Sequence, residues 1–467
     1  MQTAQWTVNE ILEASGGKLI SGSGEAVFTS ISTDSRTIGA GALFVALVGP
    51  NFDGHAFIED AARRGAAGFL VNRNARIAPA ARAHAVVEVE DTLFALGEIA
   101  RRHIEKSGVP ILAVTGSTGK TTTKEMLASI LDEHFGAGVQ KTEGNFNNLI
   151  GLPLTAFGLT ASHKAAVFEM GMNMRGEIRR LARIARPRIG VITNVSAVHL
   201  EHLKTVGAVA EAKGELLEDF GADNFAVLNA DDGRVAGMAE GRTFRVIFFG
   251  IEKKADVTAR NIAARGFEGV DFDLCAKDET TRVRLSCIGK HNVYNALAAA
   301  AAATAFGVET AAIAAGLEAF RPAAMRCRIL DVFGIRIIDD TYNANPSSMD
   351  AALEMLVELA RGGRAIAVLG DMFELGDESP AAHRRLGRHA AKLGIDRLFL
   401  LGEHARLTAE GAAEEKLAER CVEIFSSHRD IVTKLRGEGR RGDVILVKGS
   451  RGMRMEQVVK GLKGEPV

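Results

Sequence analysis

Cysteine is scarce in these 467 residues, where Cys275, Cys287, Cys327 and Cys421 are the four present. They are scattered without Cys-x-x-Cys spacing, which excludes a disulfide framework and a cysteine zinc site. Net charge is just as small, since 57 basic against 58 acidic residues leave -1. A general nucleic-acid binder, which needs a basic surface, is therefore excluded. No basic patch leads into an apolar core at the N-terminus, so no secretory signal is expected. The alanine-rich stretch 296–308 is too short to span a bilayer, and no membrane insertion is expected. Repeats and low-complexity tails are missing too. These absences point to a cytoplasmic protein.

What remains is a chain with ample core-forming material, 47% hydrophobic. At about 150 residues per domain its length suggests three domains. Helical spacing at 8–14 and strand-like runs at 43–48 and 68–71 are separated by turn signals at Pro50-Asn51 and Asp53-Gly54. A hinge near Ser107-Gly108-Val109-Pro110 leads into alternating strands (165–170, 189–194, 224–228) and helices, the signature of a parallel sheet. Residues 255–288 shift to an alternating pattern that predicts an antiparallel addition, followed by a helix over 292–306. Near Phe320-Arg321-Pro322 the pattern restarts, with strands at 335–339, 365–369, 398–401 and 444–447. The expected fold is α/β in three domains: 1–107, small α/β; 108–321, a central parallel sheet with added antiparallel strands; 322–467, Rossmann-like. A Gly-x-Gly-x-x-Gly fingerprint is missing after the first strand of the third domain, so no dinucleotide site is expected there.

Residues 111–123 read Ile-Leu-Ala-Val-Thr-Gly-Ser-Thr-Gly-Lys-Thr-Thr-Thr. The apolar run suits a central strand, and Gly116 and Gly119 let the backbone turn its N–H groups onto phosphate oxygens. Gly116, Ser117, Thr118, Gly119, Lys120, Thr121 and Thr122 thus form the expected nucleotide grip. Lys120 reaches the β- and γ-phosphates, Thr121 offers its hydroxyl to Mg²⁺, and the following helix points its positive end at the anion. The longer common loop has glycine where Val114 stands, so this is a short Gly-x-x-Gly-Lys-Thr form. ATP or GTP is the expected ligand.

Ligands of open parallel sheets sit beyond the carboxyl ends of the strands. Two further strand ends carry polar groups there: Glu169 closes one strand, and His199 follows another by a few residues. Thr121, Glu169 and His199 together would hold a divalent metal beside the triphosphate, with oxygen donors dominant as Mg²⁺ prefers. On pattern alone, Lys213 reads as an exposed helix lysine and Asn292 as a helix N-cap.

These motifs, with 194–199, Gly289-Lys290-His291-Asn292 plus Asn295, and 339–343, resemble the Mur ligases over essentially the whole chain. Within that family, segments 144–153, 169–173, 342–346 and 369–376 resemble the branch that joins D-alanyl-D-alanine to UDP-N-acetylmuramoyl-tripeptide. The Gly-Lys-Thr loop is shared with many ATPases, whereas Tyr342-Asn343-Ala344-Asn345 and the Gly-Asp-Met-x-Glu-Leu-Gly segment are far more specific.

The resemblance implies a monomeric, cytoplasmic, ATP- and Mg²⁺-dependent amide ligase of peptidoglycan synthesis that works through an acyl phosphate. Lys120, Lys213, His199 and Arg326 are the implied catalytic set. Arg326 reaches the γ-phosphate, Asn292 and Asn295 lie on the adenine side, and Asp340 contacts the ribose. Lys213 matches the family's carbamylated lysine, which would join Thr121, Glu169 and His199 as a metal ligand. Carbamylation needs a neutral amine, hence a lowered pKa. The first domain is implied to bind UDP, through Thr33, Ser35, Arg36, Asn51 and Phe52. Asn145, Asn147, Asn148, Asn173 and Arg175 face the muramoyl-peptide, and Tyr342, Asn343 and Asn345 complete the substrate set.

Three other readings compete. Another Mur ligase, adding the third peptide residue, would carry an Asp-Asn-Pro-Arg signature that is absent here. Folylpolyglutamate synthases are not expected to carry the first domain. A nucleotide switch would use the phosphate loop for regulation. Under the favoured reading the ATP groups are split between two domains, so the site is complete only when they close. An open form without ligands and a closed form with them are expected.

Overall fold

The computed structural model describes residues 5–76, 79–322 and 324–466, which form three α/β units, each built on its own sheet. The first sheet runs Lys18–Ser21, Ala85–Val89, Gly68–Asn72, Leu43–Val45, Ile31–Ser32. All neighbouring pairs are parallel except the first, which is antiparallel. The turn signals at Pro50-Asn51 and Asp53-Gly54 mark a small hairpin of Val48–Gly49 and Phe52–Asp53. The helix Thr92–Ser107 starts where the Asp91 carboxylate accepts from the N–H groups of Leu93 and Phe94 and stops at Gly108. Such a cap satisfies donors that the helix itself cannot.

The middle sheet has nine strands. Its order is Val139–Lys141, Ala165–Glu169, Ile111–Thr115, Ile189–Ile192, Phe225–Asn229, Arg245–Gly250, Val257–Ala264, Val270–Ala276, Glu279–Leu285. The first seven are parallel and the last two antiparallel, as the change of pattern after residue 255 predicts. Strand order reverses at Ile111–Thr115, whose two neighbours are the strands that carry Glu169 and lead to His199. Burial on both faces explains why this strand is apolar from Ile111 to Val114. The alanine-rich helix Lys290–Phe306 is wedged between the helix Lys120–Phe135 and the sheet, and Ala296 to Ala303 are wholly inaccessible. Small side chains on every face are what such a position requires. No helix among the described residues is long and apolar enough to cross a membrane.

The third sheet runs Arg328–Val332, Ile335–Asp340, Val444–Lys448, Ala365–Gly370, Arg397–Leu401, Val422–Phe425, parallel except for the first pair. Its two edge strands escape the hydrophobic pattern because no residue in either is fully buried. Arg245–Gly250 is likewise a strand that the pattern does not announce.

In the third unit the helices Ser379–Lys392 and Ala405–Glu414 cross with their backbones in contact. A Cβ on Gly387 would lie 1.8 Å from the Thr408 carbonyl oxygen, and one on Gly411 would lie 1.9 Å from that of Arg384. Gly387→Ala must therefore push the helices apart. A loss of about 1–3 kcal/mol is expected, the usual range for overpacking. Chemical denaturation checks it, with nucleotide affinity of the folded protein unchanged.

Candidate functional site

Beyond the carboxyl ends of the middle strands lies a cavity of about 1140 Å³, lined by the middle and third units and reached by Leu93 of the first. The phosphate loop forms one wall. Gly116 (φ 152) and Gly119 (φ 80) are required for two reasons: the backbone angles, and space, since a Cβ would lie 1.8 Å from Thr193 Oγ1 and 2.1 Å from Asn295 Oδ1 respectively. The loop is clamped by the segment leaving the neighbouring strand. Asn194 Oδ1 accepts from the Thr118 N–H at 3.0 Å, its Nδ2 donates to the Thr118 carbonyl at 3.2 Å, and Thr193 Oγ1 donates to the same carbonyl at 2.6 Å. The sequence presents Asn194 only as part of a motif. Its loop-bonding role depends on strand adjacency that local sequence does not display.

Lys120 Nζ donates to the Gly116 carbonyl at 2.8 Å, and burial lowers its pKa from the ordinary lysine value. Thr121 Oγ1 donates to Glu169 Oε2 at 2.7 Å, while Asn147 Nδ2 holds Glu169 Oε1 at 2.8 Å. From the third unit, Arg326 Nη2 donates to Thr121 Oγ1 at 2.8 Å and its guanidinium stacks 3.9 Å from the Tyr342 ring centroid. These contacts join the third unit to the middle one across the cavity. Met325 (φ 61) and Cys327 (φ 52) both adopt the left-handed backbone conformation, so Arg326 sits on a strained elbow.

Asn292 and Asn295 are buried and bonded to each other at 3.0 Å, and Asn295 packs on Gly119, so the pair also buttresses the loop. Asp340 lines the cavity, with Oδ2 accepting from Lys448 Nζ at 2.5 Å and Oδ1 from the Cys327 N–H at 3.2 Å. Burial acts to raise its pKa, but Lys448, His291 and Cys327 together outweigh burial and the net shift is downward. His291, beside Cys327 Sγ at 3.8 Å, is kept below the usual histidine range by burial.

Lys213 is not the exposed helix residue that pattern alone suggests, being 1% exposed. The signal was present: Val209, Ala212 and Lys213 share one face at i, i+3, i+4 spacing, and all three are buried. Its pKa falls well below the usual lysine value, through burial first and the charge of Lys120 second. His199 lines the same cavity, and its Nδ1 lies 2.6 Å from Glu374 Oε2 of the third unit. That contact holds the Glu374 carboxyl below its ordinary range.

Asn145, Asn147, Asn148, Asn173, Tyr342, Asn343 and Asn345 also face the cavity. Thr33, Ser35, Arg36, Asn51 and Phe52 do not, and neither does Arg175. Arg36 is tied to Asp34 at 2.7 Å and Arg175 to Glu211 at 2.6 Å, while Asn51 and Phe52 sit exposed on the hairpin of the first unit.

The donor set at Thr121 and Glu169 suits Mg²⁺, since a hydroxyl and a carboxylate oxygen already lie side by side at the cavity wall. His199 and Lys213 line the same cavity, but an ammonium cannot bind a cation, so Lys213 fits that role only as a carbamate.

The sequence matches the Mur ligase family catalytic domain over 27–104, the Mur ligase middle domain over 114–303 and the Mur ligase glutamate ligase domain over 325–451. It is 36% identical to the UDP-N-acetylmuramoyl-tripeptide–D-alanyl-D-alanine ligase of Bacillus subtilis (strain 168), with 99% of each chain covered. The chain belongs to the Mur ligase family. Among solved Mur ligases, the MurF of Acinetobacter baumannii superposes with a TM-score of 0.91 at 32% identity, over the whole of both chains. The Thermotoga maritima MurF ligase in complex with ADP superposes at 0.80 with 29% identity, covering 93% of this chain and 97% of that one.

Replacing Lys120 by alanine removes charge from the phosphate site without opening a packed core. Turnover should fall by at least about 10²- to 10³-fold, with thermal stability close to wild type. Steady-state phosphate release and a melting curve on the same sample check both halves.

Proposed function

We propose that this chain joins D-alanyl-D-alanine to UDP-N-acetylmuramoyl-tripeptide at the expense of ATP. The observation that carries the reading is the hydrogen-bonded chain Arg326–Thr121–Glu169. It ties a cation of the third unit to the phosphate loop of the middle one, in a cavity whose other wall is rich in asparagine amides.

The first step must bring two anions together. A tripeptide carboxylate oxygen attacks the γ-phosphorus, its O–P bond forms, and the bond to the β–γ bridging oxygen breaks to release ADP. The acceptor carbonyl now carries a phosphate leaving group. In the second step the dipeptide amine attacks that carbonyl, a C–N bond forms, phosphate departs, and the amine nitrogen sheds its proton.

Phosphoryl transfer depends chiefly on positioning and charge stabilisation. Backbone N–H groups of the loop, Lys120 and Arg326 supply positive charge where the γ-phosphate and the incoming carboxylate meet. Asn145, Asn147, Asn148 and Asn173 supply amide donors and acceptors for the muramoyl-peptide, and the third unit presents Tyr342, Asn343 and Asn345 from the opposite side. Asn292 and Asn295 stand at the start of the helix beside the loop, on the adenine side. Closure of the third unit excludes water that would otherwise hydrolyse the acyl phosphate.

Thr121 and Glu169 would hold one Mg²⁺, with His199 and a carbamate on Lys213 serving a second; when bound, Mg²⁺ neutralises phosphate charge. The buried, downshifted Lys213 amine supports the carbamate, because only a neutral amine takes up CO₂. Cytoplasmic action follows from the substrates, and a monomer holds all the groups named here.

Phosphate release with each component omitted in turn tests the reaction. Sustained release should require ATP, UDP-muramoyl-tripeptide and D-alanyl-D-alanine together, whereas hydrolysis that ignores both acceptor and amine would point to a nucleotide switch. Lys213→Ala should be inactive and partly rescued by short carboxylates that replace the carbamate anion. Intact mass recorded under CO₂-preserving conditions should show the adduct on wild type, and an unmodified Lys213 in the nucleotide-bound protein would count against it.

A further inference from the structure

The proposed chemistry leaves one close contact between the units without a role. His199 and Glu374 meet across the boundary between the middle and third units, Nδ1 to Oε2 at 2.6 Å. Both residues have left-handed backbone, φ 53 and φ 64, although neither is glycine. Such conformations cost energy and persist only where their surroundings enforce them.

The enforcement is visible on both sides. The third-unit segment 371–376 is held from behind: Asp371 Oδ2 accepts from the Glu403 N–H at 2.7 Å, the Met372 N–H donates to His383 Nε2 at 3.0 Å, and the Phe373 N–H donates to Ser450 Oγ at 2.8 Å. That leaves the segment a stiff arm with Glu374 at its tip. The receiving surface follows His199 directly. The Glu201 N–H donates to the Glu374 carbonyl at 3.3 Å, and Gly376 lies so close that a Cβ there would be 3.1 Å from Glu201 Cα.

We infer that Glu374 is a positioning residue that docks on His199 only when the third unit closes, so that closure itself orients the His199 ring. The Glu374 carboxylate lies in close contact with Nδ1 without hydrogen-bond geometry, so it restrains the imidazole ring by close approach and leaves its Nε2 side open, as a carboxylate beside a ligand histidine can. A histidine on a left-handed turn is free to swing when the arm is withdrawn. The ring is then set only in the closed state, where water is excluded.

The inference rests on the amide-ligase reading for its activity readout, and a binding readout stands apart from it. Loss of such a partner typically lowers activity about 10- to 100-fold. Glu374→Ala should therefore lower kcat by that factor, while affinity for a non-hydrolysable ATP analogue stays within about twofold, because Lys120, Thr121 and Asn292 are untouched. Glu374→Gln, which keeps the length of the side chain, should recover most of kcat, and Glu374→Asp, one methylene short, should not. In a double-mutant cycle, His199→Ala with Glu374→Ala should be no slower than His199→Ala alone. A pair of fluorescent labels on the middle and third units should report less closure in Glu374→Ala at saturating nucleotide.

Additive losses in the cycle, or a wild-type kcat in Glu374→Ala, would overturn the proposal. So would a variant that loses melting temperature and nucleotide affinity in parallel, which is the signature of a structural contact. If wild type fails to ligate D-alanyl-D-alanine, the functional reading fails while the closure measurement still decides whether Glu374 docks on His199.

Discussion

A carboxylate and a triphosphate repel each other, and a ligase that activates one with the other must surround their meeting point with positive charge. Here that charge is drawn from two separate folding units. The hydrogen bonds Arg326–Thr121 and Thr121–Glu169 join them at 2.8 and 2.7 Å. The strained elbow at Met325 and Cys327, the stacking of Arg326 on Tyr342 and the buried Lys448–Asp340 pair all lie behind that junction. Their shared consequence is that the arginine arrives in a fixed orientation, with little side-chain freedom left to lose.

The same junction accounts for the unusual placement of lysine. Lys120, Lys213 and Arg326 line one cavity, and burial drives both lysines down from their ordinary range. Unpaired buried cations are costly. A chain that keeps them has a use for positive charge at Lys120 and for a neutral amine at Lys213. The glycine, threonine and asparagine framework of the loop needs no such charge, because the neighbouring strand brings Thr193 and Asn194 against it and the helix Lys290–Phe306 brings Asn295.

Much of this was readable beforehand wherever function follows local pattern. An apolar strand running into Gly-Ser-Thr-Gly-Lys-Thr can hardly be anything but a phosphate loop, and Glu169 at the end of a five-residue apolar strand marks the neighbouring strand end. The three α/β units and the antiparallel addition follow from periodicity in the same way. What local pattern does not contain is pairing between distant segments. The His199–Glu374 contact spans 175 positions, and Asn194 serves the loop only because its strand lies beside Ile111–Thr115. The burial of Lys213 is hidden in local pattern because a charged residue reads as solvent-facing even at i, i+4 from the buried Val209. In the first unit, Thr33, Ser35, Arg36, Asn51 and Phe52 lie on loops and a hairpin away from the cavity, where sequence marks turns without marking ligands.

The central claim is that the phosphate site is completed from the third unit by Arg326. Single-turnover kinetics of Arg326→Ala, started by mixing enzyme and ATP with UDP-muramoyl-tripeptide and D-alanyl-D-alanine and followed by ADP formation, tests it most directly. The account predicts a chemical step slower by about 10²- to 10³-fold, with affinity for an ATP analogue nearly unchanged because the phosphate loop is intact. A single-turnover rate equal to wild type would contradict it.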